Sequence, residues 1–323
     1  MRSRWGNILA LLAMLAGPSL AANKVTTKVT PPPPEPQAAA PAQTADPVYA
    51  AYDDGRYLTA LALAKQAAAA GEPSAATLIG RLYADGLGVP RDAATAVSWF
   101  EKGAELGDAN AKFELGLMAA KGIGTPKDPA RAAKLFEAAA AAGNVQAKYN
   151  LGILLASGDA GPPDPARAAK LIGEAAQGGD AQARYDLGQI YLNGAGVLRD
   201  EEKAAHWTGL AAADGLPDAQ AEYAVMLFKG RGVAKDEARA AWFFTAAAER
   251  GNPVAQNRLA TLYAHGIVYS RDVVAASKWH LLARRAGISD LRLDAFLAML
   301  TPGQRQQAER SAAAWIERAN PAP

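Results

Sequence analysis

The sequence predicts an all-α protein built as a solenoid of antiparallel helix pairs. Two observations support this prediction: a repeat with a constant period of 36 residues, and 79 alanines in 323 residues. Alanine has the highest intrinsic helix propensity, and its small side chain lets helices approach closely. The chain has no cysteine, which excludes disulfide frameworks, thiolate metal sites and cysteine nucleophiles.

The first 21 residues match the pattern of a secretory signal peptide. Arg2 and Arg4 precede an apolar stretch over residues 8–16, and the small residues Ser19 and Ala21 fit a cleavage site. The stretch is shorter than the roughly 20 residues of a membrane-spanning helix. We therefore expect export to the periplasm or the medium without stable membrane insertion. A retained membrane anchor is the alternative.

Residues 22–46 form a linker rich in proline and alanine. Pro31–Pro34 are consecutive, and a polyproline segment is extended and has no core to bury. A linker or disordered tail is the expected structure, and a proline-rich ligand for another domain is the alternative. Without Arg2 and Arg4, the 34 Lys and Arg residues become 32 and equal the 32 Asp and Glu residues. This balance argues against nucleic-acid binding, which relies on a basic field.

Residues 75–289 contain six copies of the 36-residue repeat. Four registers keep one residue type through all six copies without an insertion. They are Ala96, Ala132, Ala168, Ala204, Ala240 and Ala276; Gly86, Gly122, Gly158, Gly194, Gly230 and Gly266; Asp92, Asp128, Asp164, Asp200, Asp236 and Asp272; and Gly107, Gly143, Gly179, Gly215, Gly251 and Gly287. Such an unbroken period is typical of repeat architectures.

Each copy of the repeat encodes two helices. In the first copy, apolar residues at helical spacing predict helix A over residues 75–85. Gly86 then ends this helix, because glycine readily adopts a positive φ. Asp92 is placed to cap helix B, which stops at Gly107. One repeat is therefore an antiparallel helix pair closed by glycine at both ends.

Weaker patterns flank the array and predict end caps. Residues 47–74 form a degenerate amino-terminal half-repeat, with a helix over residues 54–70. Residues 290–323 form carboxy-terminal capping helices, the last of which opens on a capping box from Thr301 to Gln304. Solenoids need such caps because a terminal repeat would otherwise expose an apolar face. A capped array is expected to be a monomer.

The repeat pattern resembles a known family. Ala183, Gly194-Ala195-Gly196-Val197, Asp200, Ala204, Trp207 and Ala212 follow the motif of the Sel1-like repeat, which is related to the tetratricopeptide repeat. The resemblance implies a right-handed superhelix with a groove lined by helix A. Residues 158–162 and Val268 depart from the glycine-loop motif, and their loops are expected to bend differently.

Motifs for catalysis and for cofactor binding are absent from the sequence. Nucleophile elbows, S-x-x-K, H-E-x-x-H, P-loops and G-x-G-x-x-G are all missing. His206, His265 and His280 are the only histidines, and their spacing fits no metal site. The sequence therefore predicts no enzyme, no metal and no cofactor.

The predicted binding site is the groove lined by helix A. By analogy with tetratricopeptide grooves, its residues are Phe113, Leu117, Tyr149, Ile153, Tyr185, Gln189, Val225 and Phe228. An aromatic and apolar stripe of this kind suits an extended or helical peptide. The alternative is that the aromatic row packs between repeats, since a stripe at helical spacing also indicates core.

The resemblance implies a non-enzymatic periplasmic scaffold or adaptor for protein–protein interaction. Regulation of envelope signalling, through the ectodomain of a membrane sensor, is the first specific hypothesis. One alternative is a β-lactam-binding or hydrolysing protein, against which the absence of cysteine and S-x-x-K argues. Another is a protein that binds peptidoglycan or other glycans, with Tyr149 and Tyr185 stacking on sugars.

Overall fold

The structure is a computed structural model that describes residues 46–319. The predicted signal peptide and nearly all of the predicted linker lie outside these residues. Within residues 46–319 there are sixteen α-helices and no strand, which confirms the all-α class. The helices are α1 Pro47–Asp53, α2 Tyr57–Ala69, α3 Pro73–Asp85, α4 Ala93–Glu105, α5 Ala109–Lys121, α6 Pro129–Ala141, α7 Val145–Ser157, α8 Pro165–Gln177, α9 Ala181–Asn193, α10 Glu201–Ala213, α11 Pro217–Lys229, α12 Glu237–Glu249, α13 Pro253–His265, α14 Val273–Arg285, α15 Leu291–Ala298 and α16 Pro302–Ala319.

Neighbouring helices in the chain are also neighbours in space. The A helices are α3, α5, α7, α9, α11 and α13, and each packs along the B helix that follows it. Each B helix then packs on the next A helix, so the pairs stack in chain order as the predicted solenoid. None of the helices described here has the length and apolarity needed to cross a bilayer.

The aspartate that recurs at the same position in each copy caps helix B. Asp92 accepts hydrogen bonds from the amides of Ala94 and Thr95, both at 3.0 Å. The equivalent residues that also accept from first-turn amides are Asp128, Asp164, Asp200, Asp236 and Asp272. Hydrogen bonds, first of all from the Thr95 hydroxyl, lower the pKa of Asp92. Capping thus accounts for this acidic register.

In the first four copies, helix A carries a glycine opposite a buried side chain of helix B in the Phe100 register. A Cβ on Gly80 would lie 2.5 Å from Cε1 of Phe100, and one on Gly116 would lie 2.6 Å from Cε1 of Phe136. Both phenylalanines are almost completely buried. The neighbouring Trp99 side chain is only half-buried in α4. The Phe100 register therefore forms the centre of each helix pair.

The second glycine of each G-x-G loop touches the preceding repeat. A Cβ on Gly124, Gly196 or Gly232 would lie 2.3, 2.1 or 1.9 Å from a backbone carbonyl oxygen at the start of the previous B helix. These glycines also have φ between +66° and +75°. The position thus requires glycine for two independent reasons: the left-handed backbone and the close approach between repeats.

Val268 occupies this glycine position in the sixth copy. Its φ is +66°, and it is the one non-glycine residue with a positive φ in the described part of the chain. Its side chain is 48% exposed, so burial contributes little. A left-handed backbone costs an L-residue about 1–2 kcal/mol, partly offset by the greater unfolded-state entropy of glycine.

We therefore expect Val268→Gly to raise the free energy of unfolding by about 0.5–1 kcal/mol. Urea denaturation of the two proteins under identical conditions measures the difference. A less stable Val268→Gly protein would show that contacts of the valine side chain outweigh the backbone strain.

The carboxy-terminal end closes with α15 and α16. Thr301 and Gln304 form a reciprocal capping box at the start of α16, with the Thr301 amide 3.0 Å from Gln304 Oε1. Trp315 of α16 packs edge-on against Trp279, and its Nε1 donates to Glu249 Oε2 at 2.8 Å. These contacts anchor α16 on the last repeats.

Candidate binding face on the A helices

Side chains of successive A helices meet along one face of the array, which we call the A-face. Its central part consists of Phe113, Glu114 and Leu117 on α5; Tyr149, Asn150 and Ile153 on α7; Tyr185, Asp186 and Gln189 on α9; and Asp218, Glu222, Val225 and Phe228 on α11. Two contacts join adjacent A helices directly. Arg81 of α3 forms an ion pair with Glu114 at 2.9 Å, and the Tyr149 hydroxyl donates to Asp186 Oδ2 at 2.8 Å.

Phe113 is the predicted groove residue that the structure places in the core. Its side chain is 7% exposed, and its ring centroid lies 5.8 Å from that of Phe136. The apolar ring packs against Phe136 of α6 in a core cluster, where it is removed from water. Contact of Phe113 with a partner stays a prediction, made for a ring that is buried against Phe136.

Tyr149 and Tyr185 lie between repeats and also border the A-face. Both are half-buried. Tyr149 packs against the cluster around Ile172 and reaches Asp186 of the next A helix with its hydroxyl. Tyr185 packs against the large cluster that includes α11 and α12. These two tyrosines therefore both pack between repeats and border the surface on which the groove is predicted.

The remaining predicted residues differ in exposure. Ile153 is 39% exposed and is the most accessible of the predicted apolar residues. Leu117 and Val225, in the same register, are half-buried against core clusters, and Gln189 in that register is also half-buried. Phe228 packs against the same large cluster as Tyr185, and Lys235 Nζ lies 6.0 Å from its ring centroid.

Three carboxylates surround Tyr185 on the A-face. Burial raises the pKa of Tyr185, and the negative charges of Glu222, Asp218 and Asp186 raise it further. Among residues 46–319, none of these three carboxylates forms an ion pair with a basic side chain, whereas Glu114 is paired with Arg81. Three carboxylates without an ion-pair partner therefore lie near Tyr185 on α9 and α11.

Sequence reasoning missed this acidic feature. Glu114, Asp186 and Glu222 follow the aromatic register by one residue and share the 36-residue spacing. That spacing was the available signal. Asn150 of α7 stands at the position between Glu114 and Asp186, so the acidic residues do not recur in every copy.

We expect Tyr149→Phe to lower the free energy of unfolding by about 1 kcal/mol, because it removes the hydrogen bond to Asp186 and leaves the ring in place. Thermal and urea unfolding measure the loss. The matched control is Tyr223→Phe: this ring is also half-buried, against Phe243, and its hydroxyl has no hydrogen-bond partner within the described residues.

The same substitution alters stability in alkaline solution. Burial, the hydrogen bond to Asp186 and its charge all raise the pKa of Tyr149 above the ordinary value of 10.0. The folded state therefore retains the phenolic proton where the unfolded state has lost it, and stability falls as the pH rises above about 10. Tyr149→Phe should flatten this decline. A decline of unchanged slope in the variant would contradict the role assigned to the hydroxyl.

The described residues contain no group of three His, Cys, Asp or Glu side chains arranged to hold a metal ion. His206 and His265 are exposed. His280 is buried, with Nε2 3.0 Å from Asp294 Oδ1 and Nδ1 3.3 Å from Asn257 Oδ1. His280 therefore connects the sixth repeat to α15.

Comparison with known proteins agrees with this architecture. A family model described as Sel1 repeat matches residues 73–108, 109–144, 145–180, 181–216, 217–252 and 253–288. A Sel1 repeat protein from Oxalobacter formigenes is 32% identical, with 74% of this chain and 98% of that chain covered and a TM-score of 0.67. A protective antigen present in uropathogenic Escherichia coli strains, which displays an SLR fold, is 29% identical over 84% of this chain and 68% of that chain, with a TM-score of 0.55. No curated protein matches the chain with significant similarity.

Proposed function

Because the chain belongs to the Sel1 repeat family, we propose that it is an exported, non-enzymatic scaffold that binds a protein or peptide on the A-face. Sel1 repeat proteins generally mediate protein–protein interaction. Six repeats provide the extended surface that solenoids use for such binding. The finer part of the proposal concerns the place of binding and the kind of partner.

The observation that supports the A-face is the position of Ile153. This exposed side chain lies in the centre of the array, on the helix that also carries half-buried Tyr149. Tyr185 follows on the next A helix, beside Asp186 and Glu222. Apolar and aromatic side chains supply affinity on burial, and unpaired charges select a partner of complementary charge.

The proposed location follows from the amino-terminal pattern, and the proposed role from the resemblance to exported Sel1-like proteins. Residues 1–21 resemble a signal peptide, so the partner would be in the periplasm or outside the cell. The specific proposal is regulation of envelope signalling through the ectodomain of a membrane sensor. A monomeric array that is capped at both ends would leave the A-face free for such a partner.

Photocrosslinking in the producing cells tests the site. The photoreactive residue p-benzoylphenylalanine replaces Ile153 in one strain and Lys170 in a control strain. Both positions are exposed, and Lys170 lies on α8, a B helix. We expect an adduct with a defined protein at Ile153 and none at Lys170, and we expect Tyr185→Ala to reduce the Ile153 adduct.

Two results would contradict the proposal. No adduct at Ile153 would mean that this part of the A-face has no protein partner in the cell. The same adducts at Ile153 and Lys170 would indicate non-specific contact with the whole surface. Mass spectrometry of the Ile153 adduct identifies the partner and reports whether it has the transmembrane segment of a membrane sensor.

A further inference from the structure

His280 of α14 is a buried titratable group between the sixth repeat and the carboxy-terminal cap. Its side chain is 1% exposed. Its Nδ1 lies 3.3 Å from Oδ1 of Asn257 on α13, and its Nε2 lies 3.0 Å from Oδ1 of Asp294 on α15. We call these two contacts the His280 bridge. The polar atoms that face the ring determine which of its nitrogens carry protons.

The amide of Asn257 presents its oxygen to His280. Its Nδ2 donates to Oδ2 of Asp290 at 3.0 Å, and Asp290 also accepts from the amides of Arg292 and Leu293. Hydrogen bonds, first of all the one from Asn257, lower the pKa of Asp290, so this ionised carboxylate can only accept. Turning the Asn257 amide around would place its oxygen against that carboxylate. The orientation in which Oδ1 faces the His280 ring is therefore the stable one.

Both ring nitrogens of His280 thus face oxygen acceptors. A neutral imidazole has one N–H donor and one lone pair, whereas an imidazolium donates from both nitrogens. In the neutral ring, one lone pair would point at a carbonyl or carboxylate oxygen, and a buried polar group without a partner is costly. The imidazolium instead makes two hydrogen bonds, and the one to Asp294 joins opposite charges.

Charged side chains of α14 and α16 meet Asp294 from the other side. Arg284 Nη1 lies 3.3 Å from the same Oδ1 that faces His280, and Arg305 and Glu309 line a cleft beside it. From α13 the ring meets the uncharged amide described above. The Asp294 side chain is 33% exposed, so water reaches this side of the His280 bridge. A proton can therefore pass from the ring to the solvent.

The short helix α15 depends on the His280 bridge for its attachment. It has eight residues, of which Leu293 and Leu297 are buried, whereas Leu291 is 84% exposed. It packs on α13 and α14, the two helices that supply the other members of the bridge. A helix of this length is not stable in isolation, and hydrogen bonds to charged groups stabilise more than those between neutral groups.

We propose that His280 is held as an imidazolium and that its charge fixes α15 to the sixth repeat in a pH-dependent way. The folded protein retains a proton that the unfolded chain loses at about pH 6.5, the usual range for histidine. The stability that the bridge contributes is therefore present in full below this range and is lost as the pH rises above it. Release of the proton to water then frees α15 and uncovers Leu293 and Leu297.

Nuclear magnetic resonance of the ring nitrogens tests the protonation state. The full-length protein is labelled with nitrogen-15 histidine, and His206→Gln and His265→Gln, both at exposed positions, assign the signals of the three histidines. At about pH 7.5, where an unfolded-chain histidine is largely neutral, we expect both nitrogens of His280 to have the shifts of protonated nitrogens. One protonated and one bare nitrogen would overturn the proposal, and this measurement leaves the His280 bridge unaltered.

Hydrogen exchange tests the attachment of α15. Between about pH 6 and pH 8, the protection factors of α15 amides should fall at least about ten-fold, and one proton limits the fall to about ten-fold per pH unit. Asp294→Asn keeps an acceptor oxygen and removes the charge, so it should flatten this decline. The matched control is Glu309→Gln, which removes an exposed negative charge from the same cleft and should leave the decline unchanged.

Three exchange results would also overturn the proposal. One is a decline of equal size in the unchanged protein and in Asp294→Asn. The second is a decline that Glu309→Gln abolishes as well, because general negative charge would then be the cause. The third is an equal decline in α5, which lies several repeats away and would report a loss of stability throughout the array.

Discussion

We expect Phe136→Ala to lower the free energy of unfolding by about 3–5 kcal/mol, the usual cost of truncating a buried phenylalanine. The Phe136 side chain is 1% exposed. Its ring lies over Gly116 and contacts Phe113, whose centroid is 5.8 Å away. Gly116 has no side chain that could move into the space, so the substitution leaves a cavity between α5 and α6.

The control for this substitution is Lys134→Ala on the same helix. Lys134 is exposed, and a change there should alter stability by about 0.5 kcal/mol or less. Urea denaturation gives the overall loss. Hydrogen exchange of amides in α5 and α6 shows whether the loss is local, as expected when each repeat contacts only its neighbours. A loss below about 1 kcal/mol would mean that the helix pair collapses around the missing ring.

We expect Gly232→Ala to lower the free energy of unfolding by about 2–5 kcal/mol, the sum of backbone strain and overpacking. Gly232 has a φ of +66°, which costs an L-residue about 1–2 kcal/mol. The new Cβ would also lie 1.9 Å from the carbonyl oxygen of Glu201. That oxygen belongs to the backbone at the start of α10, so it can move only if the contact between repeats opens.

Gly266→Ala separates the two contributions to this loss. Gly266 has nearly the same φ, +69°, but its new Cβ would approach no heavy atom closer than 3.5 Å. It should therefore cost only the backbone strain of about 1–2 kcal/mol. Thermal and urea unfolding compare the two variants. Equal losses would show that the close approach of the loop to Glu201 adds nothing to the requirement for glycine.

On the A-face, the 36-residue period predicted which positions are equivalent but not which side chains are buried. The period placed Phe113, Tyr149 and Tyr185 in one register, and they do occupy equivalent places on α5, α7 and α9. Their burial differs because side chains of different chemistry pack against different residues of the neighbouring helices. The Phe113 ring is wholly apolar and enters the helix pair, whereas Tyr149 needs a polar partner for its hydroxyl and finds it in Asp186.

The sequence by itself determined the helix pairs, the period and the family. Helix ends depend on local signals, namely the aspartate caps and the glycines with positive φ, and these lie within a few residues of the bonds they govern. The 36-residue spacing then required the pairs to be equivalent.

Only the tertiary structure decided which residues are accessible and why the second loop glycine is required. Phe113 is buried by Phe136 of the facing helix, and Gly232 is restricted by Glu201 of the previous repeat. The charge around Tyr185 likewise combines side chains from α9 and α11. In each case the controlling atom is distant in sequence and becomes a neighbour only when helices pack, so no local pattern reports it.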